Sequence, residues 1–336
     1  RIGATMENSP EQNLSNNISD YEIIKTLGKG SQGNVYLAIY RPNSQKYALK
    51  VVSKAQIKGN LQFERLKSEV LIQKALSNNS FPSENIVKLI HHFEDEENVY
   101  LISELCSEGD LNKYLMKNGK LSELSAKGFF RQLSNGAKFM KDNLVLHRDL
   151  KPGNIFMTVS NSIKIGDFGC SAQLKKPGDR RNSQLGTPNY LSPEIYKQEE
   201  YDYSCDIWSM GCILYMMLTG RTPFESRVTN QTFRKIQKEQ YIMPKNISEE
   251  AQNLIGRMLK VNVDERIIIE EILDHPFLKE EINMNTIDNK LESDNLISLG
   301  KTEDDINVFL NHEIPIEDKK TQIQEEDEME ETELSC

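Results

Sequence analysis

The sequence predicts an α+β fold, β-rich in its first third and mostly helical afterwards. Two observations carry this reading. Strand-like runs crowd the first third of the chain: Tyr21 to Leu27, Val35 to Tyr40, Tyr47 to Lys50 and Asn98 to Ile102. Helical periodicity takes over afterwards. Ser122 is a hydroxyl N-cap ahead of Ala126, Phe129, Phe130, Leu133, Ala137 and Met140, which share one helix face, and Asp206 opens a long apolar helix reaching about Thr219.

The periodic apolar pattern is confined to residues 21–278, the expected folded domain. A core of that size suits a 336-residue chain with a tail at each end. Residues 1–20 are polar and read as a flexible segment, and residues 279–336 as an acidic, largely disordered tail. Of the net charge of −10, Glu280 to Cys336 carries −14 through 18 acidic and 4 basic residues, leaving the remainder at +4. That distribution is no signature of nucleic-acid binding. No stretch is long enough to span a bilayer, and no export signal is visible. The five cysteines show neither C-x-x-C nor metal-ligand spacing. The chain is therefore expected inside the cell, in cytoplasm or nucleus, without membrane insertion and with reduced thiols.

Leu27 leads into Gly28-Lys29-Gly30-Ser31-Gln32-Gly33, and Val35 begins a second strand-like run. A dinucleotide site would continue into a helix; a second strand makes the glycines a hairpin whose backbone can lie close over a polyphosphate. Tyr47-Ala48-Leu49-Lys50 then sets a lysine on a strand, placed to hold phosphates. Leu61, Leu66, Val70 and Ala75 mark the apolar face of a helix that offers Glu69 as the partner of Lys50, with Glu64 as the other candidate. His147-Arg148-Asp149-Leu150-Lys151-Pro152-Gly153-Asn154 puts a carboxylate, a lysine and a carboxamide in one loop. Asp167-Phe168-Gly169 puts another carboxylate after Ile163-Lys164-Ile165. Phosphoryl transfer requires those parts: Asp149 as base for a hydroxyl, Lys151 as a cation near the migrating group, and Asn154 and Asp167 as oxygen ligands for Mg2+. Each string alone reads as a turn, a surface lysine or a solvated helix face. Their order over 167 residues, from Gly28 to Glu194 of Ser192-Pro193-Glu194, is specific.

In that order the strings resemble the eukaryotic serine/threonine protein kinases throughout 21–278. Several are similar to the polo-like kinase family: Glu104-Leu105-Cys106 at the hinge, Gly153 where most kinases carry Glu, Phe156 as the aromatic floor under adenine, Gly178 to Tyr190, and Tyr241-Ile242-Met243-Pro244. Aurora-like and NEK-like kinases are the alternative relatives. An inactive pseudokinase or scaffold is the alternative function, although Lys50, Asp149 and Asp167 are all present.

The resemblance implies a two-lobed protein-kinase fold, a small β-rich N-lobe over about 21–103 and a larger, mostly helical C-lobe over about 107–278, that uses ATP and Mg2+ to phosphorylate Ser or Thr of protein substrates. Lys50 with Glu69 would hold the phosphates. Glu104 and Cys106 would offer backbone groups to adenine, with Val35, Ala48 and Phe156 around the ring and Ser103 at the back of the pocket. It further implies that Asp206 bonds the catalytic-loop backbone and that Glu194 pairs with Arg266. Ser183, three residues before Gly186, would be the regulatory phosphosite, read by Arg148, and Arg180-Arg181-Asn182-Ser183 suits an arginine-directed upstream kinase. Cys170 and Ser103 depart from the common pattern, and the 58 residues after Leu278 show no strand alternation of the polo-box kind. Work in cell division or at the centrosome or basal body follows from the likeness alone.

Overall fold

The computed structural model describes residues 14–30, 33–57, 59–226 and 229–279. Ser31, Gln32 and the acidic tail from Glu280 lie outside the described residues. In the N-lobe, β1 (Tyr21–Gly30), β2 (Gly33–Tyr40), β3 (Gln45–Ser53), β4 (Leu89–Glu94) and β5 (Asn98–Glu104) form one sheet in the order β1-β2-β3-β5-β4, with antiparallel neighbours. Helix α1 (Gly59–Ser77) connects β3 to β4.

Strand alternation sorts this sheet into two faces. Tyr40, Tyr47, Leu49, Phe93, Tyr100 and Ile102 pack into one apolar cluster. The register pairs Val35 with Lys50, Lys50 with Leu101, and Ala48 with Ser103, which puts these five side chains together on the opposite face. Leu101 there packs with Val52, Leu89 and Leu66 of α1.

Two expectations need correction. Leu61 and Ala75 do not face the sheet; both are exposed, and the buried stripe of α1 is Leu66, Glu69, Ile72, Gln73 and Leu76. The helix turns its polar Glu69 inward to meet Lys50, which rotates the apolar stripe away from the one read in the sequence. Residues 14–20 are not a flexible segment. Leu14 is buried in the aromatic cluster, the Ser15 amide donates to Tyr40 Oη at 3.1 Å, and Tyr21 Oη donates to the Ser15 carbonyl at 2.9 Å.

The C-lobe contains α2 (Leu111–Asn118), α3 (Glu123–Asp142), α4 (Pro193–Tyr196), α5 (Ser204–Thr219), α6 (Thr229–Gln237), α7 (Glu249–Met258), α8 (Ile269–Leu273) and α9 (Pro276–Lys279). Short strands β6 (Val145–Leu146) and β9 (Ala172–Gln173) pair with each other, as do β7 (Ile155–Met157) and β8 (Ile163–Ile165). Ser122 caps α3 as expected, accepting from the Ser125 amide at 3.2 Å. Helix α5 is apolar on nearly every side and lies at the centre of the lobe, where burying each large aliphatic side chain contributes about 1.5–3 kcal/mol. The lobes are laced together behind the site: Ile165 donates to the Asn85 carbonyl and Val87 donates to the Ile165 carbonyl, both at 2.8 Å. No helix among the described residues is long and apolar enough to cross a membrane.

Candidate active site

The glycine-rich string closes a hairpin in which Gly30 pairs with Gly33. Gly33 has φ +144°, and a Cβ there would sit 2.5 Å from the Val51 carbonyl oxygen, so only glycine fits this approach of β2 to β3. A Cβ on Gly28, by contrast, would meet no atom within 4 Å. The hairpin thus borders free space on the face that carries Val35, Ala48 and Lys50.

Lys50 Nζ lies 2.6 Å from Glu69 Oε1 and 3.8 Å from Asp167 Oδ1. Glu69 is buried and Glu64 exposed, so the structure selects Glu69. Burial works against the Lys50 charge, but Glu69 and Asp167 outweigh it and hold the ammonium above its ordinary range. Burial alone would also raise Asp167. Lys50, His147 and Lys151 together with the Gly169 amide prevail and keep its carboxyl below the usual carboxylate range.

The catalytic string forms a rigid loop. Asp206, buried on α5, accepts from the backbone amides of His147 and Arg148, both at 2.8 Å, as expected. That clamp secures Arg148 in the left-handed region at φ 69°, which costs a non-glycine residue of order 1–3 kcal/mol. His147 Nε2 donates to the Gly166 carbonyl at 3.1 Å and its Nδ1 accepts the Asp149 amide at 3.3 Å, so one buried ring ties the loop to the segment before Asp167.

Asp149 Oδ1 accepts the Thr187 hydroxyl at 2.7 Å, and Oδ2 lies 3.0 Å from Lys151 Nζ. Lys151 Nζ also donates to the same Thr187 oxygen at 2.9 Å. Asn154 turns its amide nitrogen to the Asp149 carbonyl at 2.8 Å and to Oδ2 at 3.2 Å, so among the described residues its Oδ1 is left as a hard donor without a hydrogen-bond partner. Gly186 lets the activation segment reach this spot: at φ +125°, a Cβ would stand 2.8 Å from the Arg148 carbonyl oxygen.

At the hinge, the Glu104 amide donates to the Lys88 carbonyl at 3.0 Å, so Glu104 can meet a ligand only through its carbonyl. The Cys106 backbone forms no hydrogen bond among the described residues. Burial, then Glu104, pushes the Cys106 thiol up to about 12, and burial, Asp149 and Asp167 push Cys170 to about 11. Leu27, Val35, Ala48, Ser103 and Phe156 are all half-buried, apolar or small, and none is sealed into the core. Lys29 is exposed beside them.

Beyond the reacting centre, Arg148 donates through Nε to the Cys170 carbonyl at 2.6 Å and through Nη2 to the Ser171 carbonyl at 3.1 Å, and its Nη1 reaches Ser183 Oγ at 2.7 Å. Glu194 and Arg266 form the expected buried pair, bidentate at 2.7 and 2.9 Å.

Two contributors were not singled out in the sequence. Thr187 was visible within Gly186-Thr187-Pro188, but its bonds to Asp149 and Lys151 depend on how the activation segment folds back. Tyr201, whose hydroxyl meets Ser183 and Arg148, lies in a string with no motif to mark it.

A strand lysine paired to a helix glutamate, a looped carboxylate sharing a hydroxyl with a lysine, and Asp167, left-handed at φ 59° and 3.8 Å from the strand lysine, define a phosphoryl-transfer site of the protein kinase type. Residues 21–278 match the family model for the protein kinase domain, and the chain belongs to that family. Among known proteins it is similar to the serine/threonine-protein kinase PLK4 of Drosophila ananassae, at 37% identity over 262 residues, covering 78% of this chain and 33% of that protein. The PLK4 of Drosophila virilis is 35% identical over 271 residues, 80% of this chain and 34% of that one. The chain spans about a third of the length of the curated relatives it matches.

Protein kinases use ATP and Mg2+, and the residues here fit both. A side chain on Gly28 would project into the space the hairpin borders, and Asn154 Oδ1 and the ionised Asp167 offer the oxygen donors that magnesium prefers.

Proposed function

We propose that this chain transfers the γ-phosphoryl group of ATP to serine and threonine hydroxyls of protein substrates. One observation carries the reading: Asp149 and Lys151 together hold an aliphatic hydroxyl, that of Thr187, at 2.7 and 2.9 Å. A substrate hydroxyl bound the same way points its proton at the Asp149 carboxylate, which takes it as the oxygen attacks in line. Lys151, on the same oxygen, faces the charge that builds on the migrating group. Lys50, kept charged by Glu69 and Asp167, would bind the phosphates beneath the glycine-rich hairpin. Asn154 and Asp167 would hold magnesium, which neutralises phosphate charge. Leu27, Val35 and Ala48 on one side and Phe156 on the other would hold the adenine ring, Glu104 and Cys106 would meet its edge, and Ser103 would line the back of the pocket.

Switching belongs to the same proposal. The Arg148–Ser183 contact of 2.7 Å supports Ser183 as the activating phosphosite, because a phosphate there adds about −1.5 to −2 charge beside a fixed guanidinium. Arg180 and Arg181 support an arginine-directed upstream kinase. The similarity to PLK4 proteins supports a polo-like assignment, an intracellular setting in cytoplasm or nucleus, and a role in cell division or centrosome or basal-body control.

The test is transfer of labelled γ-phosphate from ATP to casein, with nucleotide binding measured in parallel. Asp149→Asn should still bind ATP but lose about 10²–10⁴-fold in transfer. Asp167→Ala should lose magnesium-dependent nucleotide binding as well. Wild-type turnover in both variants, or ATP binding without any transfer by the wild type, overturns the reading.

A further inference from the structure

We propose that Tyr201 is the second donor of the phosphate site at Ser183 and acts as a positioning residue for the activation segment. The inference rests on the reading of Ser183 as the regulatory phosphosite, and adds a ligand which that reading does not contain.

Tyr201 Oη lies 3.1 Å from Ser183 Oγ, donates to the Ser183 carbonyl at 2.8 Å and accepts from Arg148 Nη1 at 3.3 Å. A phenol has one proton. In the unmodified chain that proton is spent on the Ser183 carbonyl, and Oη accepts from its other two neighbours.

Neither donor around Ser183 is free to follow it. The Tyr201 ring is 2% exposed, packed in a cluster with Leu146, Leu174, Leu191 and Ile195. Its backbone is locked to Arg181, with Arg181 donating at 2.9 Å and Tyr201 donating back at 2.7 Å. Arg148 is fixed by the Cys170 and Ser171 carbonyls and, at its own amide, by Asp206. Ser183 alone is exposed.

A phosphoryl group on Ser183 brings acceptor oxygens to a place where one fixed cation and one fixed neutral hydroxyl already converge. The phenol proton then turns from the Ser183 carbonyl to a phosphate oxygen. Tyr201 therefore serves both states of the serine, as a clamp on its backbone before modification and as a ligand to its phosphate afterwards. An arginine alone would fix the charge; the phenol adds a second, directional bond that sets where the segment carrying Thr187 lies.

The experiment installs phosphoserine genetically at position 183 of the full chain, in wild type and in Tyr201→Phe, which keeps the ring and removes only the hydroxyl. A broad-specificity phosphatase should release the phosphate about tenfold faster from the phenylalanine form, because a lost hydrogen bond to a charged group frees the segment. The 31P titration midpoint of the phosphoserine should lie higher in that form than in wild type. Equal release rates and equal titrations overturn the role of Tyr201 while leaving the switch intact. The switch itself fails separately, if the phosphoserine form transfers phosphate no faster than Ser183→Ala. Should Tyr201→Phe not fold, 3-fluorotyrosine at position 201 of the otherwise native chain decides: its 19F resonance should move when phosphoserine replaces Ser183, and an unmoved resonance refutes the contact.

Discussion

Replacing Arg266 with alanine attacks the joint that fastens the end of the activation segment to the C-lobe. Its guanidinium binds both Glu194 oxygens at 2.7 and 2.9 Å, the Ser204 carbonyl at 2.8 Å and the Lys260 carbonyl at 2.9 Å, and lies 5.2 Å from the Trp208 ring centroid. The two side chains are 0% and 3% exposed, so water does not replace what is lost. Alanine strands the Glu194 charge among apolar groups, a loss that costs about 3–5 kcal/mol for buried pairs. For a domain of this size each kcal/mol moves the melting temperature by roughly 2–4 °C, so Arg266→Ala should melt between about 6 and 20 °C lower. Thermal unfolding followed by circular dichroism measures it. Arg266→Met combined with Glu194→Leu should be less destabilised than Arg266→Ala, since no unpaired charge remains. A drop below about 3 °C in Arg266→Ala, or a double variant worse than the single, would refute the account.

Ser103 faces the same side of the sheet as Ala48 and Leu101, so an ATP-competitive compound with an aromatic extension burying ~100 Å² should gain about 2.5 kcal/mol, roughly 70-fold in affinity; Ser103→Met should abolish the gain, and an extension that gains nothing on wild type contradicts the pocket. With their thiols pushed up to about 12 and 11, Cys106 and Cys170 are protonated at neutral pH. Their alkylation by iodoacetamide in the folded protein should be slow at pH 7 and climb about tenfold per pH unit towards 10, read by peptide mass spectrometry, and a flat profile counts against the shifts. A Cβ on Gly153 meets nothing within 4 Å, so Gly153→Glu should fold. It should gain about tenfold preference for arginine two residues before the target in a positional peptide library, as a carboxylate there would pair with it; a wild type already dominated by that arginine overturns the expectation.

Much of the site was legible because its chemistry is local in sequence. Asp149, Lys151 and Asn154 share one loop, and short spacing guarantees short distance. Lys50 and Glu69 are 19 residues apart on different elements; the sequence offered Glu64 beside Glu69, and only the burial of Glu69 against Lys50 decides between them. The buried face of α1 was not legible: it turns Glu69 and Gln73 inward, so apolar periodicity misstates its direction. Nor was the packing of Leu14, one apolar residue in a polar stretch, because burial there depends on the tyrosines of β1 and β2 arriving from elsewhere. Thr187 and Tyr201 owe their positions to the path of a loop, which no residue pattern encodes.

The carboxylate of Asp206 has a consequence for how this molecule breathes. Loop amides ordinarily trade their protons with solvent through small local openings, at rates far faster than those of the core. The amides of His147 and Arg148 are instead bound to an acceptor on α5, a helix buried along nearly its whole length. Releasing either proton requires the loop to part from the Asp206 carboxylate, which α5 holds inside the buried core of the lobe. These two amides should therefore take up deuterium more slowly than loop amides that face solvent, as hydrogen exchange can measure.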